Sequence, residues 1–181
     1  MTVDIETLSQ SPRAAIISIG ACTFDKNGII DTFKVNIKPE SAKEVGMVIS
    51  KDTLDWWANQ PKEVWEAALD KNVYAQFGLS EFVKWIEARN PSKVWAQGVQ
   101  FDITILEHAF GCVGLRTPWK FWDIMDTRTL FNMFGINTKS IHEKYGSAHH
   151  DALSDAVAQT KALIEVLAAM GWGEDGGPLK I

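Results

Sequence analysis

The sequence predicts an α/β domain built on a mixed sheet, with three antiparallel strands first and parallel strands after them, flanked by helices. Three observations predict it. The first 37 residues read as strands joined by turn formers, the middle of the chain reads as helices interrupted by short apolar strand-like stretches, and the last long segment has the period of one amphipathic helix. Strands first, then helices interleaved with strands, is the order of a mixed sheet covered by helices.

Thr2 to Leu8 reads as the first strand. Strand side chains alternate faces, so Asp4 and Glu6 share one face while Val3 and Ile5 share the other. Ala14 to Phe24, rich in Ile and Ala, is the second strand and Ile29 to Ile37 the third. Asp25-Lys26-Asn27-Gly28 between them are turn formers, Asn-Gly being a strong hairpin signal. From Lys51 apolar residues recur at spacings of about three and four, which predicts helices over Lys51 to Asn59, Lys62 to Leu69 and Ser80 to Arg89, punctuated by Pro61 and Pro91. Val94 to Gln97 is a short buried strand followed by a helix from Phe101 to Phe110. Phe121 to Met125 is a further strand, Thr127 to Phe134 a helix, and Ala152 to Met170 the long final helix. No repeat or linker divides the chain, so a single domain is expected over residues 1–172, with a Gly-rich tail at 173–181 that is expected to fray.

Composition narrows the function. A chain of 181 residues and 20.2 kDa, 46% hydrophobic, is large enough for one buried core. No apolar run approaches the roughly 20 residues that a membrane helix needs, so no membrane partner is expected. The first residues carry no basic, apolar leader pattern, and a cytoplasmic location is expected. Cys22 and Cys112 are expected to be reduced and without a catalytic role. A net charge of −5 excludes a non-specific duplex coater, which needs a dense set of Lys and Arg to displace counterions. It does not exclude an enzyme whose site is made of carboxylates and is loaded with metal.

Asp4 and Glu6 form such a patch. Two carboxylates on one strand face raise each other's pKa, and no lysine or arginine lies within the segment to compensate them, so the pair suits a divalent cation. Downstream, Asp102, His150 and Asp155 complete an ordered set. Taken singly, each has a plainer reading. Asp4 and Glu6 fit a solvated strand face, Asp102 a helix N-cap, and Asp155 a first-turn acid complementing the helix dipole. His149 and His150 fit surface residues or, with His142, a zinc site, although no standard ligand spacing completes one. The conjunction in order decides for a two-metal nuclease.

The segments Asp4-Ile5-Glu6-Thr7, Gly98-Val99-Gln100-Phe101-Asp102-Ile103 and His150-Asp151-Ala152-Leu153-Ser154-Asp155 resemble the three motifs of the DEDDh 3′-to-5′ exonucleases. Thr53-Leu54-Asp55-Trp56-Trp57 and Asp126-Thr127-Arg128-Thr129 further resemble the compact phage exonuclease VIII-like and mycobacterial exoribonuclease-like branch. Gln97 departs from it, because that branch usually has Asn before the Gly of the second motif. The resemblance implies a ribonuclease H-like fold, two Mg2+ ions for which Mn2+ can substitute, and release of nucleoside 5′-monophosphates from the 3′ end of single-stranded DNA or RNA. It implies that Asp4 bridges both metals, with Glu6 and Asp155 completing one site, Asp102 supporting the other, and His150 acting as general base. Spacing agrees with that division of labour, since His150 and Asp155 on one continuous helix would point in different directions. His150 is therefore expected in the loop entering the final helix.

Thr7, Leu8 and Phe101 are the expected substrate contacts, Leu8 as a wedge against the terminal base. Only one of Trp56 and Trp57 can face inward. The other offers a stacking surface for an unpaired base, or an exposed patch compatible with a homodimer. Arg128 suits a phosphate, a carboxylate partner or a solvated cap, and stays outside the catalytic set. The rival functions are a structure-selective endonuclease on the same fold and a catalytically silent nucleic-acid-binding module.

Overall fold

Ile16 to Thr23 form an unbroken buried run, as a strand covered on both faces must, and they build the middle of the sheet. The computed structural model describes residues 1–146 and 150–171. Strands β1 (Thr2–Thr7), β2 (Ile16–Asp25) and β3 (Gly28–Asn36) run antiparallel. Strands β4 (Val94–Ala96) and β5 (Ile124–Asp126) add in parallel on the other side of β1, giving the order β3-β2-β1-β4-β5. Helices α1 (Pro39–Glu44), α2 (Lys51–Ala58), α3 (Lys62–Leu69) and α4 (Ala75–Arg89) connect β3 to β4. Helix α5 (Asp102–Cys112) follows β4, while α6 (Thr127–Met133), α7 (Thr138–Tyr145) and α8 (Ala152–Ala169) follow β5. This is the mixed sheet flanked by helices that the sequence predicts.

The two faces of β1 do different work. Val3 and Ile5 are buried in one apolar cluster with Leu79 and Phe82 of α4 and Leu106 and Phe110 of α5. Asp4 and Glu6 point to the opposite layer, where α8 lies across β1, β2 and β3. One row of residues sets the seat of that helix. Asp4 pairs with Gly20 on β2, and Gly20 with Lys34 on β3. A Cβ on Gly20 would lie 2.2 Å from the Ala152 carbonyl carbon, from its oxygen and from the Leu153 nitrogen. Only glycine lets the first turn of α8 rest on the sheet at that point. Lys34 beside it pairs with Asp151, the N-cap of α8, which also accepts the Ser154 N–H at 2.9 Å.

Local details depart from the sequence reading for identifiable reasons. The hairpin loop is Lys26-Asn27, one residue before the Asn-Gly pair. The Asp25 carboxylate accepts the Asn27 N–H at 2.7 Å, and Gly28, at φ +141°, already pairs with Asp25. Helix α4 starts at Ala75 rather than Ser80. Gly78 inside it brings the helix against Ile37, Val73 and Val35, atoms of which lie 3.2–3.3 Å from where its Cβ would be. Of the strand expected over Phe121 to Met125, Phe121–Asp123 is a 3-10 turn and only Ile124–Asp126 pairs. Helices α1 and α7 are additions; α7 carries a capping box between Asn137 and Ser140 and buries Ile141 against α6 and α8. The Gly-rich tail at 173–181 lies outside the described residues. No helix among the described residues is long and apolar enough to cross a membrane. Cys22 and Cys112 are free thiols, as expected.

Candidate active site

Three elements deliver the four acidic residues to one place. Strand β1 presents Asp4 and Glu6, the start of α5 presents Asp102, and the first turn of α8 presents Asp155. One carboxylate oxygen from each of Asp4, Glu6 and Asp155 lies within 4.8 Å of the others. Asp102, 5% exposed at the first position of α5, stands against β1, where the Ile5 backbone N–H donates to its carboxylate. All four acids predicted from the sequence therefore converge.

Their electrostatics follow from that crowding. Burial pushes the Asp4 carboxyl well above the carboxylate range, and the charges of Asp102, Glu6 and Asp155 push it further, while the Gln159 hydrogen bond opposes this. Glu6 is pushed up to about 8, by burial first and then by Asp155, Asp102 and Asp151. Asp102 rises to about 7, chiefly by burial, with the backbone N–H groups of Ile5 and Asp102 and the Arg128 charge pulling the other way. Ionising all of these acids at neutral pH calls for added positive charge within reach of their oxygens. Hard divalent cations, which take carboxylate oxygens as ligands, fit this donor set.

His150 sits where the spacing argument expects it, in the loop just ahead of α8, with a left-handed backbone at φ +62°. Its N–H donates to Asp155 Oδ2 at 3.2 Å. Its ring meets Trp56 edge to face at 4.8 Å between centroids and lies 6.3 Å from Trp57. His150 is half-buried rather than sunk in the core. His149 lies outside the described residues.

A groove of about 470 Å³ runs beside Glu6, lined among others by Thr7, Ser50, Thr53, Trp56 and Phe101. Phe101 is 36% exposed and Trp56 41%, so both offer ring surface at this groove. Trp57 is the inward tryptophan of the pair, its Nε1 donating to the Thr7 carbonyl at 2.9 Å. Thr7 borders the groove but gives its hydroxyl hydrogen to Ser9 O at 2.7 Å. Leu8 corrects the sequence reading. It is 1% exposed and packed in the core cluster: β1 ends at Thr7 and its pairing with β2 shifts between Glu6 and Thr7, and Leu8, just past that irregularity, lies in the apolar layer rather than on the face of Asp4 and Glu6, so it is not placed to wedge against a base. A separate cavity of about 370 Å³, lined by Met1, Lys93, Trp95 and Leu167 among others, includes none of the acids.

Gln159 in the site escaped the sequence reading, and His142 entered it only as a member of a zinc site. Gln159 on α8 donates from Nε2 to Asp4 Oδ1 at 2.9 Å while 7% exposed, and its own Oε1 is buried without a hydrogen-bond partner. It stands one helical turn after Asp155, a spacing that could have found it. His142 on α7 places Nδ1 3.5 Å from Asp155 Oδ1. Arg128 donates to the Gln97 carbonyl at 2.7 Å and lies over Gly98, while the Gln97 side chain reaches Thr138 on α7 at 2.5 Å. The departure at Gln97 thus serves the link between β4 and α7.

A model of the Rv2179c-like 3′-5′ exoribonuclease domain matches residues 1–167. The chain belongs to that family. It is a 3′-5′ exonuclease acting on nucleic acid. The exodeoxyribonuclease of Enterobacteria phage T4 is 29% identical over 155 residues, covering 70% of this chain and 68% of the relative. Solved structures share the fold. The nuclease domain of 3'hExo, a DEDDh family member bound to rAMP, aligns with a TM-score of 0.58 at 14% identity over 99% of this chain and 94% of that one. Exonuclease X in complex with 5′-overhanging duplex DNA gives 0.59 at 14% identity over 95% and 94%. E. coli exonuclease I in complex with a dT13 oligonucleotide gives 0.68 at 15% identity, over 94% of this chain but 41% of that longer one.

Proposed function

We propose that this exonuclease removes nucleoside 5′-monophosphates from the free 3′ end of single-stranded DNA or RNA, using two Mg2+ ions that Mn2+ can replace. The observation that carries the proposal is the set of three carboxylate oxygens within 4.8 Å, two of them on acids held protonated more strongly than usual by their surroundings. Asp4, Glu6 and Asp155 would hold one ion, and Asp4 with Asp102 the other. When bound, such ions lower the pKa of a water and neutralise charge on the phosphate oxygens.

The chain's own groups do the rest. His150, on the loop before α8, takes the proton of the attacking water, a task that suits an imidazole whose unperturbed pKa of about 6.5 lies near working pH. Trp56 and Phe101 present ring surface to unpaired bases in the groove beside Glu6. Gln159 keeps one Asp4 oxygen occupied and so fixes which lone pairs face the site. The free thiols of Cys22 and Cys112 fit a reducing compartment, and we assign the protein to the cytoplasm.

Matched 3′-labelled and 5′-labelled single strands of DNA and RNA, incubated with Mg2+, test the reading. Immediate release of label as mononucleotide from the 3′-labelled strand, with a shrinking ladder from the 5′-labelled strand, is expected. Cleavage of a circular single strand would replace the exonuclease with an endonuclease. Absence of turnover with both Mg2+ and Mn2+ would overturn the two-metal mechanism.

A further inference from the structure

Asp155 is held from two sides. Its Oδ2 accepts the His150 backbone N–H at 3.2 Å, and its Oδ1 faces His142 Nδ1 at 3.5 Å, with the two side chains only 14% and 11% exposed. The histidine comes from a different element, and that element is tied down. Ile141, the neighbour of His142, is buried in one cluster with Phe131 of α6 and Leu163 of α8. Lys144 pairs with Glu165 on α8, Gln97 reaches Thr138 at the first position of α7, and the capping box closes the N-terminus of the helix. His142 is therefore a fixed group rather than a passing surface side chain.

We propose that His142 is a positioning residue for Asp155 and sets how tightly the acidic cluster holds its divalent cations. The proposal rests on the reading of Asp155 as a metal ligand. A carboxylate on one short side chain can rotate, and its lone pairs point usefully at an ion only in part of that rotation. The His142 ring nitrogen, 3.5 Å from one oxygen, and a backbone N–H at the other limit that freedom. Groups that orient a ligand in this way change metal affinity by about 10- to 100-fold when they are lost. Strand β1 holds the other side of the cluster through the sheet ladder, but Asp155 depends on how α8 and α7 meet. His142 makes the packing of α7 a determinant of metal affinity.

The test is calorimetric titration of Mn2+ into the whole chain without substrate, beside kinetics at limiting and saturating Mn2+. His142→Phe keeps the ring and removes the donor; it should weaken Mn2+ binding about 10- to 100-fold. Its hydrolysis should fall at limiting Mn2+ and recover at saturation. His142→Asn, whose amide nitrogen stands where Nδ1 stands, should restore binding to near the parent value. Should His142→Phe fail to fold, His142→Leu carries the same expectation. Unchanged Mn2+ binding in the folded donor-less variant would overturn the proposal, as would equal loss in the Asn variant, which would make the imidazole itself the ligand. Asp155→Asn separates the two readings: if it binds Mn2+ and turns over normally, Asp155 is no ligand and the premise fails, whatever His142 does.

Discussion

Gly20→Ala puts one methyl group between the sheet and α8, and the structure says how much room it lacks. The added carbon would lie 2.2 Å from three backbone atoms of Ala152 and Leu153, where ordinary contact begins at 3.4 Å, so the helix must withdraw by about 1.2 Å. None of the three atoms can rotate aside, because all belong to the first turn of α8. Overpacking of this kind costs about 1–3 kcal/mol. For a chain of this size each kcal/mol moves the thermal midpoint by about 2–4 °C, so Gly20→Ala should lose about 2–12 °C. The effect on hydrolysis should be larger. Asp155 and Gln159 travel with the helix while Asp4, the strand partner of Gly20, stays with the sheet. A displacement of about 1 Å separates ligands that must share an ion, and misplacement on that scale costs about 100-fold in rate. Steady-state hydrolysis of a 3′-labelled single strand, at a temperature where calorimetry shows the variant fully folded, measures it. A rate within twofold of the parent would refute the claim that Gly20 seats the helix that carries the site.

Asp4→Asn and Asp155→Ala should each abolish hydrolysis while the metal-free protein keeps or gains thermal stability, since each removes one of several repelling carboxylates; Mg2+-dependent cleavage by either variant counts against the assignment. His150→Ala should slow hydrolysis about 10²- to 10⁴-fold, the usual contribution of a positioned base, with calorimetric Mn2+ affinity close to the parent's. The pH dependence follows from Glu6. Its folded value of about 8 lies above its ordinary 4.5, so the stability it contributes is fully present below about 4.5 and is lost as pH rises through 8. The thermal midpoint of the metal-free protein should therefore fall between pH 5 and 8 on this account, and saturating Mg2+ should remove the fall. A midpoint that rises across that window without metal would contradict the raised value.

Much of this arrangement could be read from the chain alone because the relevant periods are short. Alternation in β1 puts Asp4 and Glu6 on one face, and the six-residue segment from His150 to Asp155 places one in a loop and the other in a helix. Positions that depend on close packing could not be read. Gly20 carries no signal that a helix backbone will rest on it. The contact of His142 with Asp155 was hidden because α7 is mostly polar and lacks the broad apolar stripe by which helices are found. Leu8 was misjudged because alternation continued from Asp4 and Glu6 keeps it on the face of the acids, while the register shift between Glu6 and Thr7 and the end of β1, which the sequence does not signal, leave it in the core.

The same packing explains how the site tolerates its own charge. Four acids brought to one locus by a strand, two helix starts and a sheet ladder would drift apart if any support were soft, because like charges in a poorly solvated place repel. The supports are instead rigid in kind. The Asp4 and Glu6 positions are fixed by backbone pairing to β2, Asp102 by the Ile5 N–H, and Asp155 by a helix that Gly20 and the Lys34–Asp151 pair fasten to the sheet. Without cations the cluster relieves itself by holding protons, which is what the raised values of Asp4, Glu6 and Asp102 express. Metal binding must expel those protons, so affinity for the ions and pH are coupled through the same acids that hold them. Nucleic acid, itself a polyanion, would be repelled by the bare cluster. On the proposed two-metal reading, a sequence with net charge −5 can act on phosphodiesters because the charge at its centre would change sign when the site is loaded.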